Sequence, residues 1–90
     1  MKETKTLKEL KQENKEYYET RIEREKQVIK ENWDKLNNSK SLNLASIRVI
    51  VSQIEIASKN VGYYEAKLLE TKIWLIENQF KKDIEVEVQN

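Results

Sequence analysis

The chain has 90 residues, with 17 Lys and Arg against 16 Asp and Glu, for a net charge of +1. That balance excludes a basic nucleic-acid arm and an acidic tail, and 90 residues allow one domain at most. Without cysteine or histidine, thiolate chemistry, disulfides and imidazole-based metal or acid–base sites are excluded.

One glycine and no proline leave few turns, so the elements must be long. A charged fraction of 37% beside a hydrophobic fraction of 38% suits long amphipathic helices better than a compact α/β domain. The halves are also balanced: residues 1–40 carry 11 basic and 9 acidic groups, residues 41–90 carry 6 and 7. A nucleic-acid binder needs a clustered positive excess for phosphate contacts.

The first helix is expected over about 6–37. Thr6 and Glu9 have capping-box spacing. Leu7, Leu10, Tyr17, Tyr18, Ile22, Val28, Ile29, Trp33 and Leu36 then follow a helical stripe, thin and flanked by Lys and Glu. Lys5, Lys8, Lys11 and Lys15 fall along one side. They could touch phosphate, but interleaved Glu9, Glu13, Glu16 and Glu19 favour a solvated face.

Asn37-Asn38-Ser39-Lys40-Ser41 reads as the connection, with the turn over 38–41, because Asn tolerates a helix end and Ser or Asn caps the next helix. The second helix is expected over about 42–82. Ile47, Ile50, Ile54, Ala57, Val61, Tyr64, Leu68, Thr71 and Leu75 step by 3 and 4 as a coiled-coil seam. A strand reading of Ser46–Ile56 competes there, since that stretch is rich in β-branched residues.

The tail 83–90 alternates charged and β-branched residues through Asp83-Ile84-Glu85-Val86-Glu87-Val88, a strand pattern. An isolated strand lacks ladder partners, so it either frays or pairs with another chain. The expected fold is therefore all-α: a long antiparallel two-helix hairpin with a short C-terminal strand, completing a four-helix bundle on dimerisation.

Closing the hairpin near residues 39–40 sets Tyr17 at the level of Gly62, Ile22 near Ala57, and Leu7 and Leu10 against Ile73 and Leu69. Large residues of one helix then meet small ones of the other, which gives Gly62 a packing role.

The second helix carries more apolar residues than one seam needs. A helix apolar on two sides is normally buried on two sides. The self-association or partner surface is therefore assigned to Val49, Ile56, Tyr63, Ile73, Trp74, Ile76 and Phe80, continuing into Ile84, Val86 and Val88. A secondary aromatic patch is assigned to Tyr18 and Trp33, since aromatic residues are common anchors. Only one tyrosine of each pair can enter the seam, and Tyr18 and Tyr63 are taken as the outer ones. Each of these aromatics has a plainer reading as seam or stripe-end packing.

No catalytic, metal or cofactor-binding residue is assigned. The carboxylates lie mostly within three or four residues of a lysine, as solvated helix pairs do, and Gly62 alone makes no phosphate loop. The length and Trp33 invite comparison with small secreted hairpins of the WXG type, but Trp33-Asp34-Lys35 lacks the glycine; no family is recognised. No stretch reaches the roughly 18 apolar residues of a membrane span, and Met1-Lys2-Glu3-Thr4-Lys5 does not begin a signal peptide. The expectation is a cytoplasmic, homo-oligomeric, non-enzymatic protein-binding module, an assembly subunit or small inhibitor, with a bacterial or phage origin suggested by Lys/Asn/Ile/Glu usage. The alternative is a nucleic-acid-associated factor of a phage or mobile element using the first-helix lysines.

Overall fold

A computed structural model describes residues 2–38, 40 and 42–89; the side chains of Lys2, Glu3, Val88 and Gln89 lie outside the description. Strand β1 (Lys2–Thr6) leads into helix α1 (Leu7–Asn38), followed by helix α2 (Leu44–Asn78) and strand β2 (Glu85–Gln89). The two helices pack as an antiparallel hairpin, in a molecule of 60 × 31 × 15 Å.

The sequence reading of the hairpin holds, with small shifts at its ends. Asn37 and Asn38 stay helical, so the connection starts a residue later than expected. Ser39 and Ser41, two residues of the expected turn, lie outside the described residues. Asn43 caps α2 with extended backbone, and its Oδ1 accepts from the Ser46 amide at 2.8 Å, satisfying an orphan donor of the first turn. The β-branched stretch 46–56 is helical throughout. Tertiary packing of its stripe overrides a modest strand preference.

Helix α2 ends at Asn78, four residues short of the expected end. The chain must turn there to bring β2 back beside β1. That pairing corrects the reading of the tail. β2 does not await another chain: it pairs antiparallel with β1, Thr6 opposite Glu85 and Lys5 opposite Val86. The Lys2–Thr6 strand was missed because its sequence is polar and has no apolar alternation to read.

The junction between sheet and helix closes the N-terminus of α1. The Leu7 amide donates to Ile84 O at 2.6 Å, the Lys8 amide to Asp83 Oδ1 at 3.1 Å and the Glu9 amide to Thr6 Oγ1 at 3.1 Å. Three orphan donors are thereby capped, two of them by the far end of the chain. The Glu9 carboxylate accepts from the Thr6 hydroxyl at 3.2 Å, since the Thr6 backbone belongs to the strand. Lys8 Nζ donates to the carbonyls of Gln79 and Lys81, so one lysine also holds the turn after α2.

Half-buried Asp83 is charged at this junction. Burial pushes its carboxyl up, but hydrogen bonds from the Lys8 amide, the Thr6 side chain and the Ile84 amide outweigh it and hold the pKa below the ordinary 3.8. The unfolded chain then binds the proton more readily, so this contribution is present above about pH 4 and is lost as pH falls through the lower folded value. Asp83→Asn is expected to flatten that part of the acid unfolding profile. The check is a denaturant midpoint series from pH 5 to pH 2 on both proteins; identical acid slopes would remove Asp83 from the account.

The seam is thin. Ile22, Ile50 and Ala57 are the buried apolar residues among those described, and Ala57 is only 1% exposed. Polar groups share it. Glu25 is buried and pairs with Arg21 at 3.2 Å. Asn32, 3% exposed, donates to Val28 O, and Thr71 to Lys67 O, each turning back onto its own helix.

The helices slide past one another relative to the expected register. Tyr17 meets Tyr64, at 6.3 Å between ring centroids, and not Gly62. Gly62 is exposed, and a Cβ there would meet nothing within 4 Å, so the packing role expected for it inside the hairpin is overturned. Leu69 and Ile73, expected against Leu7 and Leu10, point outward. The later connection moves α2 along by about two residues, while its inner stripe stays on the expected positions; Leu69 and Ile73 fall between Leu68, Thr71 and Leu75 of that stripe and so face away from α1.

Candidate protein-binding surface

The side of α2 turned away from α1 is the candidate site. Its geometry follows from the inner seam. Ile50, Ala57, Tyr64, Thr71 and Asn78 share one heptad position facing α1, and all are buried or half-buried. Residues that fall on the opposite side of the helix cannot touch α1.

Most of the expected surface residues are there. Val49, Ile56 and Tyr63 recur every seven residues on one flank, and all are exposed. Ile73, Ile76 and Phe80 form the outer row of the C-terminal half, with Phe80 94% exposed. Ile84 is also exposed. The sequence reading missed Leu69, 60% exposed, because the expected register gave it a partner in α1. It also passed over Gly62 and Ala66, which precede Leu69 on the same row and are exposed. The signal was present as a second run of 4 and 3 spacings.

Two expected residues are not free outer contacts, and the side chain of a third falls outside the described residues. Trp74 is half-buried at the open end of the hairpin, where Lys11 Nζ lies 5.4 Å from its ring centroid. It lines a small cleft with Leu7, Asp83 and Ile84, so it seals the sheet junction. Val86 is half-buried on β2 opposite Lys5. Val88 pairs through its backbone with Glu3, and its side chain lies outside the described residues.

The aromatic patch is rearranged. Tyr17 is exposed and Tyr18 half-buried, the reverse of the expectation, while Tyr63 is outward as expected. All four rings form one chain of contacts: Tyr17–Tyr18 at 5.6 Å, Tyr18–Tyr64 at 6.2 Å and Tyr63–Tyr64 at 5.3 Å. Arg21 stacks on Tyr64, 5.4 Å from its centroid, and a side-chain hydrogen bond to Tyr64 raises the guanidinium pKa above its ordinary value. This cluster pins the helices together mid-length. Trp33 stands half out of the surface near the loop, apart from it.

The first-helix lysines do not form the single row expected. Lys5 belongs to β1 and pairs with Glu13 at 2.6 Å. Lys8 holds the α2 turn and Lys11 covers Trp74. Three of the four are occupied within the chain. No group of three acidic side chains that could hold a metal ion occurs among the described residues, and no helix there is long and apolar enough to cross a membrane. No protein-family model, curated protein or solved structure matches this chain.

Proposed function

We propose that the chain is a non-enzymatic protein-binding module that presents the outer face of α2 to a protein surface. One observation carries the reading. Among the described residues three apolar side chains are buried, whereas thirteen large hydrophobic ones are exposed. Scattered exposed apolar residues are ordinary on a protein surface. Here eight of the thirteen lie on α2, where Val49, Ile56 and Tyr63 recur at heptad spacing along one flank and Leu69, Ile73 and Ile76 form an outer row, and apolar rows on an otherwise charged surface are what a partner covers. Function as an assembly subunit or a small inhibitor follows from the same surface. The nucleic-acid alternative is weaker, because three of the four lysines it needs, Lys5, Lys8 and Lys11, are engaged within the chain.

The test compares the wild-type chain with the double variant Ile56→Glu, Ile76→Glu. Both sites are exposed, so helicity by circular dichroism should be unchanged. The wild type is expected to associate, with itself in light scattering or with a protein from extracts of its source cell, and the variant is not. Equal behaviour of the two proteins in both assays would overturn the reading. So would tight, steeply salt-dependent binding of DNA or RNA by both.

A further inference from the structure

The C-terminal half of the outer face carries a row with an internal symmetry. Gly62, Ala66, Leu69, Ile73, Ile76 and Phe80 step by 4, 3, 4, 3 and 4. All six are exposed, and the row lies across the helix from Thr71, which is buried toward α1. Phe80 follows Gln79, whose backbone keeps helical geometry at φ −60° and ψ −30°, so it extends the row.

We infer that this row is the interface of an antiparallel homodimer, in which α2 of one chain lies against α2 of a second copy on a two-fold axis at the level of residue 71. The inference rests on the protein-binding reading above and names the partner.

The argument is one of shape. In a two-fold contact, if residue i meets residue j, then j meets i. A row serves both sides only if its spacing reads the same in both directions, and 4, 3, 4, 3, 4 does. Centred on position 71, Gly62 falls opposite Phe80, Ala66 opposite Ile76, and Leu69 opposite Ile73. The two layers at each end join a small residue to a large one, and the two layers beside the axis join Leu69 to Ile73, so the pair packs most fully at its centre and the helices approach closely toward its ends. A parallel pair would set Phe80 against Phe80 and leave a void between two glycines. The spacing itself is common to any helical stripe; the order of sizes, from Gly62 and Ala66 at one end to Ile76 and Phe80 at the other, is what an antiparallel second copy complements. The exposed Gly62, which costs helix stability relative to alanine and has no neighbour in its own hairpin, gains a reason in the ring it faces.

The area approaches the minimum for a specific pair. Leu69, Ile73, Ile76 and Phe80 are 60%, 45%, 66% and 94% exposed. At about 150–200 Å² for a fully exposed large side chain, they offer roughly 400–530 Å² per copy. Two copies cover roughly 800–1,060 Å² before flanking residues contribute, around the ~1,000 Å² at which specific interfaces begin. Beside the axis Glu70 meets its own copy, as does Lys72 on the other side. These contacts lie at the solvent-exposed rim, where screening keeps their cost small. Because the row lies opposite α1, the four helices form a flat layer with α1 outermost, not the square bundle that the sequence suggested.

The test uses the absence of native cysteine. Ala66→Cys and Ile76→Cys are made as separate chains and mixed under mild oxidation. The mixture is expected to yield a disulfide-linked Ala66→Cys/Ile76→Cys heterodimer, while each alone yields none, because identical positions lie about 15 Å apart along antiparallel helices. Light scattering should show a dimer that Ile76→Glu weakens at least about thirtyfold. Gly62→Leu should raise helicity and still weaken the dimer, opposite effects that damage to the fold would not produce. Self-linked products from each variant alone would mean a parallel pair and overturn the inference. A monomer at all concentrations with no cross-link would also overturn it; loss of another protein's binding in the Ile56→Glu, Ile76→Glu chain would then leave the protein-binding reading standing.

Discussion

Ile22→Ala is expected to lower the unfolding free energy by about 2–4 kcal/mol, the usual cost of removing a buried isoleucine side chain and leaving its space unfilled. Ile22 is 7% exposed and is the buried apolar residue that α1 contributes to the seam; Ile50 and Ala57 come from α2. A stability of about 5–15 kcal/mol is ordinary for a small domain, so the loss is a large share of it. The control is Ile56→Ala, the same substitution at a side chain 58% exposed, which is expected to cost less than about 1 kcal/mol. Urea unfolding followed by circular dichroism measures both. Equal costs at the two positions would mean that the inner and outer faces of the hairpin are wrongly assigned.

Ala57→Leu is the second large effect, expected at about 2–3 kcal/mol. Ala57 shares its heptad position with Ile50 and Thr71, and at 1% exposure it is the most buried residue described. Its methyl group marks where α1 and α2 approach closely. Three further carbons have no space there and must push the helices apart or take a strained rotamer. Ala45→Leu, on the exposed first turn of α2, adds the same carbons at no such cost. Thermal unfolding compares the two, and a neutral Ala57→Leu would show that the helices lie further apart than the burial of Ala57 implies.

The two substitutions probe a seam that is unusual in its content. Beside Ile22, Ile50 and Ala57 lie Glu25, Asn32 and Thr71. Buried polar residues in a helix seam contribute less to stability than apolar ones, and here Glu25, Asn32 and Thr71 each find a partner on their own helix, so they do not set the register. The contacts of Tyr17, Tyr18 and Arg21 of α1 with Tyr64 of α2 cross the seam. They fix a register that three apolar side chains alone would leave loose.

Much of this was determined by the sequence alone. The near absence of glycine and proline forced long elements, the 3-and-4 spacing from Ile47 to Leu75 placed the seam of α2, Thr6 marked the start of α1, and the alternation from Asp83 to Val88 marked a strand. These features are local: periodicity and capping act within a turn or two, so a short window of residues suffices to read them. The excess of apolar residues on α2 was also legible, and with it most of the candidate surface. The tertiary structure alone decided what joins distant parts of the chain. It paired the tail with Lys2–Thr6, whose polar sequence carries no strand signal, and it placed Asp83 as a cap on α1, a contact 75 residues apart in the chain. It slid α2 along α1 by about two residues, setting Tyr64 against Tyr17 in place of Gly62, and it left Tyr18 and Trp74 half-buried. That axial register depends on the length of the connection and the fit of Tyr17, Arg21 and Tyr64, and no pattern within either helix contains that information.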